Sequence, residues 1–336
     1  MKVRGRTVYV RFLLPAVLAF VWRLLPAAQT APEPEWRWFK GNLHTHTINS
    51  DGDSAPDAVA RWYKEHRYNF LVLTDHDFLT EPEGLNTIFA ARNKFLLIPG
   101  EEVSARHEER PIHVNAFDIR STILPLGGGS VLETIQKNVD AIREAGGMPS
   151  LNHPNFHWAI RPDELRQVSG LKLLEVYNGH PTVNNWGGGG FESLDEVWDA
   201  VLSAGREVYG VAVDDAHHFK TLGAQYSNPG RGWVMVKARE LTTRAVLDAL
   251  ESGDFYASTG VELEEVVRLD DGLRITIKVP RHIRFTTEFI GADGKVLDRT
   301  FDNPAEYRLK AGEAYVRARV SDSNGWQAWV QPVFAR

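Results

Sequence analysis

The chain has no cysteine in its 336 residues. This excludes disulfides, thiolate metal sites and cysteine nucleophiles, so any metal must be held by nitrogen and oxygen ligands. The absence is neutral as to export, because exported proteins need not carry disulfides. Positive charge is also short: 38 Lys and Arg face 44 Asp and Glu, a formal net charge of −6. A nucleic-acid binder driven by a global basic field is thereby excluded. No apolar run reaches the about 20 residues of a comfortable membrane span. There is no dedicated phosphate-binding lysine motif, no internal repeat, and no low-complexity segment beyond the flexible loop Gly187–Gly190. What is present is ordinary for a folded protein, 43% hydrophobic and 24% charged residues, which rules out a disordered or collagen-like chain. At roughly 150 residues per domain, the length suggests two domains, or one large α/β barrel with an addition. Ten tryptophans and twelve histidines are generous counts.

The N-terminus reads as an address. Lys2, Arg4, Arg6 and Arg11 precede an apolar run over residues 12–22, and small residues follow to Ala31. This is the pattern of a secretory signal over residues 1–31. It predicts an exported protein, periplasmic or secreted, with an uncleaved N-terminal anchor as the alternative and no other membrane association. A surface or core helix is the plain reading of the same run. Pro32 and Pro34 make a stiff linker.

Between residues 36 and 261, short β-rich runs alternate with helical patterns. The runs cover residues 38–44, 70–73, 95–99, 112–117, 148–152, 173–177 and 208–213. One helix follows Pro56. A second starts at Ser130 with Glu133 three residues on, a capping-box spacing, and a third starts likewise at Ser193 with Glu196. A fourth runs from Thr243 to a stop at Gly253. Alternating strand and helix imply a parallel sheet with helical crossovers, and seven strands suit a closed barrel. Over residues 262–336 the helical period disappears. Ile275, Ile277 and Val279 alternate with polar residues, and Asp293-Gly294 and Asn324-Gly325 are hairpin signals. That region reads as a small antiparallel β-sandwich, either a structural cap or a carbohydrate- or surface-binding module.

The histidines carry the chemistry. The first strand ends in His44-Thr45-His46, whose two imidazoles share one side because residues two apart on a strand do. The second ends in Thr74-Asp75-His76-Asp77, the third in Pro99-Gly100-Glu101-Glu102, and His113 lies in the fourth. The fifth ends in Asn152-His153-Pro154, the sixth in Glu175-Val176-Tyr177-Asn178, and the seventh in Asp214-Asp215-Ala216-His217. In a parallel barrel these ends share one mouth, where active sites are built. Asp51 sits in the Asn49-to-Asp53 loop, close to the His-x-His strand. It does not open an EF-hand, since the position eleven further on is Trp62 rather than glutamate.

Taken in order, His44-Thr45-His46, Asp51-Gly52, Thr74-Asp75-His76, Pro99-Gly100-Glu101-Glu102, His113, Asn152-His153-Pro154 and Asp215-Ala216-His217 resemble the motifs of the polymerase and histidinol phosphatase (PHP) domain over about residues 38–260. The leader and the ending from Trp326 to Pro332 are similar to an exported, carbaryl-hydrolase-like branch. The resemblance implies a distorted seven-stranded (β/α) barrel holding two or three divalent ions, Zn, Mn or Fe. It also implies nine ligands: His44, His46, Asp51, His76, Glu102, His113, His153, Asp215 and His217. Among them Asp215, His217 and Glu102 are the residues expected to carry catalysis. Glu102 is preferred to Glu101, and Asp215 to Asp214, because the family patterns are Gly-x-Glu and Asp-x-His. Glu101 and Asp214 are left as partners that orient ligands.

Three carboxylates and six imidazoles contribute about −3 and three divalent ions about +6, so the loaded site favours anionic groups. Neighbouring ions bridge a hydroxide and lower its pKa towards neutrality. Asn178, His180, Arg161 and His157 are the candidates for substrate contact. The expected activity is a phosphoesterase on small phosphate esters. Alternatives are a carbamate or ester hydrolase on the same metals, and a non-catalytic metal- or surface-binding module. The expected partner is a small anionic molecule, with no nucleotide cofactor and no stable nucleic-acid partner.

Overall fold

A computed structural model describes residues 35–335, together with residues 1, 2, 4, 5, 7 and 8. The leader expected over residues 1–31 lies almost wholly outside the described residues. Among the described residues, no helix is long and apolar enough to cross a membrane. From Glu35 onward the chain forms one compact unit.

The first part runs β1 (Arg37–Asn42), α1 (Pro56–Glu65), β2 (Phe70–Val72), α2 (Pro82–Phe89), β3 (Leu96–Ile98), β4 (Gly100–His107), β5 (Arg110–Phe117), α3 (Val131–Glu144), β6 (Met148–Leu151), α4 (Pro162–Leu165), β7 (Leu173–Asn178), α5 (Leu194–Ser203) and β8 (Tyr209–Val213). Then come β9 (Trp233–Ala238), α6 (Thr243–Ser252) and β10 (Phe255–Ser258). Local chemistry explains the helix ends. Ser193 Oγ accepts from Glu196 N while the Glu196 carboxylate accepts from Ser193 N, closing the expected box. Ser130 caps α3 in the same way, but the Glu133 carboxylate accepts instead from Gly129 N. Gly253 ends α6 at φ 76°, a left-handed conformation that costs glycine little.

The strand pairing departs from an all-parallel barrel. β1–β2–β3 and β6–β7–β8 are parallel, but β4–β5 and β5–β6 are antiparallel. One sheet runs β4-β5-β6-β7-β8, while β1, β2 and β3 belong to a nine-stranded sheet. No closed sheet is found among the described residues. The reason is the β4–β5 hairpin: a tight turn after His107 reverses the chain where a helical crossover would have kept it parallel. Single backbone bridges nevertheless stitch the two sheets together at one end. His46 N donates to Ala216 O (2.9 Å), Asp215 N to His44 O (3.0 Å), Glu102 N to Asp75 O (3.1 Å) and Asp77 N to Glu102 O (2.9 Å). Those bridges put the histidine-bearing strand ends side by side.

The remaining strands are β11 (Leu263–Leu269), β12 (Gly272–Ile277), β13 (Phe285–Ile290), β14 (Val296–Thr300), β15 (Ala305–Arg308), β16 (Tyr315–Asp322) and β17 (Gln327–Phe334). They form two antiparallel layers, β11-β12-β15 and β14-β13-β16-β17, enclosing Leu273, Ile275, Phe289, Val316, Val320 and Val330. The second layer is not isolated. β17 pairs with β10, so it continues the nine-stranded sheet that contains β1. In β1, Gly41 is required by close packing, since a Cβ there would lie 2.1 Å from the Phe70 ring.

Candidate metal centre

The bridged strand ends bring all nine expected donors together. Glu102, 1% exposed, is the hub. Its Oε2 lies 3.1 Å from His76 Nδ1, 3.3 Å from His44 Nε2 and 3.4 Å from His46 Nε2. Its Oε1 lies 3.0 Å from His113 Nδ1 and 3.2 Å from His153 Nε2, and accepts from Asn152 Nδ2 at 2.8 Å. Asp215 Oδ1 is 3.2 Å from His46 Nε2 and 3.3 Å from His44 Nε2. Asp51 faces His217 Nε2 at 3.3 Å, His46 Nδ1 at 3.5 Å and His76 Nε2 at 3.7 Å. Donor atoms converge within 4.8 Å in four overlapping groups. They are His46–Asp51–His76–His217, His44–His46–Glu102, His44–His153–Asp215 and His76–Glu102–His113.

The hydrogen bonds behind the donors settle which lone pairs face inward. His44 Nδ1 donates to Glu175 Oε1 at 2.7 Å, which leaves Nε2 as the inward lone pair. His217 Nδ1 donates to Asp215 O at 2.9 Å and likewise presents Nε2. Asp75 accepts from Thr47 N, Thr47 Oγ1, Ser50 Oγ and Thr80 Oγ1, and so holds the loop that carries Asp51.

Without ions, the charges are in conflict. Burial pulls His44 down, but Asp215, Glu102 and Glu175 outweigh it and lift the ring well above its ordinary value. Burial also opposes protonation of His217, yet Asp51 and Asp215 raise it to about 9. His46, buried and beside positive His217, drops to about 4. Burial pushes Glu102 up, but His44, His76 and His113 hold it well below the usual carboxylate range. So many nitrogen and oxygen donors in one half-buried space form a set that suits divalent cations of the Zn, Mn or Fe type, and the residues present fit such ions.

The four expected substrate contacts fare differently. His180 lines the small cavity of about 120 Å³ over the donors, as does Phe156, which was not anticipated. Asn178 does not face that cavity. It is fully buried, and its Nδ2 donates to Glu175 Oε2 (2.8 Å) and Asp215 Oδ2 (3.1 Å). Arg161 is committed elsewhere, to Glu192 at 2.9 Å and to the Phe191 ring at 4.6 Å. His157 is exposed, edge-on to Phe156, and does not line the cavity.

Neither of the two supposed orienting residues touches a donor side chain. Glu101 points away from the donors, because neighbours on a strand face opposite sides. Its Oε1 accepts from Ile123 N, and burial raises it to about 7. Asp214 accepts from Tyr63 Oη, from Asn42 Nδ2 and from the backbone of Arg231 and Gly232, and Asn42 Oδ1 in turn accepts from His44 N (2.8 Å), so Asp214 reaches the donors through Asn42. Glu175 supports the donors instead. A signal for it existed in the sequence, a lone carboxylate inside the apolar run Leu173-Leu174-Glu175-Val176.

A two-domain protein from Bacteroides vulgatus, containing a predicted PHP-like metal-dependent phosphoesterase, superposes with a TM-score of 0.51 at 16% identity. The alignment covers 91% of this chain and 100% of that one. The chain shares its fold with that PHP-like protein. The shared fold accounts for the meeting of the donor-bearing segments at one end of the strands. In sequence, 79 residues are 34% identical to the 5'-3' exoribonuclease Rnm of Salmonella typhimurium, 23% of this chain. The Escherichia coli protein of the same name is 35% identical over 85 residues, 24% of this chain. The chain spans about a quarter of the length of these relatives, 27% and 28%. No family model matches the chain.

Proposed function

We propose that this protein is a metal-dependent phosphoesterase acting on small phosphate esters. The observation that carries the reading is the convergence of three carboxylates and six imidazoles on one half-buried cavity whose remaining lining is Phe156 and His180. His44, His46, Asp51, His76, Glu102, His113, His153, Asp215 and His217 would hold two or three divalent ions. When bound, such ions polarise an ester oxygen and acidify water to near neutrality.

The chain's own residues do the rest. With donors worth about −3, a site loaded with two or three divalent ions is left electropositive and attracts an anionic group. The cavity is well below the roughly 300–1,000 Å³ of drug-sized pockets, so a small head group enters and the remainder stays outside. Phe156 walls one side and excludes water. His180 Nδ1 accepts from Thr182 N at 3.3 Å, so its Nε2–H is free to donate to a substrate oxygen.

A panel of phosphomonoesters, phosphodiesters, short oligonucleotides and aryl carbamates, each with Mn, Zn and Fe, tests the reading. The partial likeness to an exoribonuclease justifies the oligonucleotides, and the exported-branch resemblance justifies the carbamates. Turnover of phosphate esters that chelation abolishes and added metal restores is expected. Turnover of carbamates alone would overturn it.

A further inference from the structure

β7 is flanked by strands that supply donors, yet none of the nine donors comes from it. It carries a bulge. Glu175 pairs with Val211 and Tyr177 with Ala212, so two steps on β7 oppose one on β8. In a regular strand, residues three apart face opposite sides. The extra residue turns Glu175 and Asn178 to the same side, and bulges re-aim side chains in this way. Both are fully buried.

Together they touch every member of one donor group. Glu175 Oε1 accepts from His44 Nδ1 (2.7 Å) and Oε2 from His153 N (2.8 Å). Asn178 Nδ2 donates to Asp215 Oδ2 (3.1 Å) and to Glu175 Oε2 (2.8 Å). Asn178 is itself clamped, since its N donates to Asn185 Oδ1 (2.9 Å) and its O accepts from Asn185 Nδ2 (2.8 Å). In the His46–Asp51–His76–His217 group, Asp51 is backed by a single long bond, from Ser50 Oγ at 3.4 Å, and is 55% exposed.

We propose that Glu175 and Asn178 are a positioning pair that makes His44–His153–Asp215 a pre-formed, slowly exchanging ion site, distinct from the open site around Asp51. This rests on reading the cluster as a metal centre. The two sites are therefore emptied in order, the Asp51 site first.

The experiment loads the full chain with Zn(II) and follows bound zinc by elemental analysis during timed exposure to a chelator. In the wild type one equivalent should outlast the others. Glu175→Gln keeps the shape but removes the charge, and Asn178→Ser removes the amide. Each should weaken retention of the slow equivalent about 10- to 100-fold, the usual effect of losing a partner behind a ligand. Metal-free melting curves identify any variant that fails to fold, and the other variant then decides. Glu101→Gln, a buried carboxylate that touches no donor, should leave retention unchanged. A folded Glu175→Gln or Asn178→Ser with wild-type retention overturns the proposal, and so does equal loss in Glu101→Gln or a wild type without a slow equivalent. Ordered zinc release without phosphate-ester turnover would sink the proposed activity and leave this assignment standing.

Discussion

Removing the ions should make stability depend on pH, with a sign set by His217. Free in an unfolded chain, this imidazole titrates near 6.5, whereas in the metal-free fold Asp51 and Asp215 overcome burial and hold it at about 9. A group raised on folding stabilises fully below its unfolded value, and the contribution is lost as pH climbs through the folded one. The span from 6.5 to about 9 is worth about 3 kcal/mol. His44 is raised as well and adds in the same direction. His46 acts oppositely. Burial and the neighbouring His217 hold it at about 4, so its contribution is present above 6.5 and lost as pH falls through 4. The metal-free protein should therefore be most stable near pH 6.5. By about pH 9 it should have lost about 3 kcal/mol, on the order of 6 °C in melting temperature for a chain this size. With ions bound, cations rather than protons neutralise the carboxylates, and the decline over that window should disappear. Melting curves of chelated and metal-loaded protein at several pH values check this. Identical pH profiles for the two forms, or a metal-free midpoint that stays level or rises above pH 6.5, would refute the reasoning.

Asp215→Ala removes a donor shared by His44 and His46. Since metal stabilisation of a transition state is worth several kcal/mol, kcat/KM should fall about 1,000-fold on every active substrate in a steady-state assay. Ile135→Ala empties a fully buried position on α3 against the five-stranded sheet. It should cost about 2–5 kcal/mol in a denaturant titration while bound metal is unchanged. Thr242→Ala deletes the side chain that caps α6 by accepting from Ala245 N, and should cost about 1 kcal/mol by the same titration.

Much of the donor set is legible in one dimension because its rules are local. The two-residue repeat of a strand puts His44 and His46 on one side, and the same rule separates Glu102 from Glu101. The helices α1, α3, α5 and α6 are readable from caps, apolar spacing and terminal glycines. The short helices α2 and α4 are not, since eight and four residues carry too little period. β4 falls between the runs read over residues 95–99 and 112–117 and is missed, because Arg106, His107, Glu108, Glu109 and Arg110 mask a hairpin. Asn178 looks like a substrate contact at the end of a strand, and only the bulge in β7 shows that it faces Asp215.

The order of imidazoles and acids along the chain was enough to name the candidate donor residues, because ligand chemistry belongs to the side chain itself. Tertiary structure decided which donors share a space, which lone pair each imidazole presents, and that Glu175 stands behind His44 from 131 positions away. Those outcomes depend on strand register, one bulge and four backbone bridges between sheets, and no local pattern encodes a distance between segments that meet only when the chain is folded.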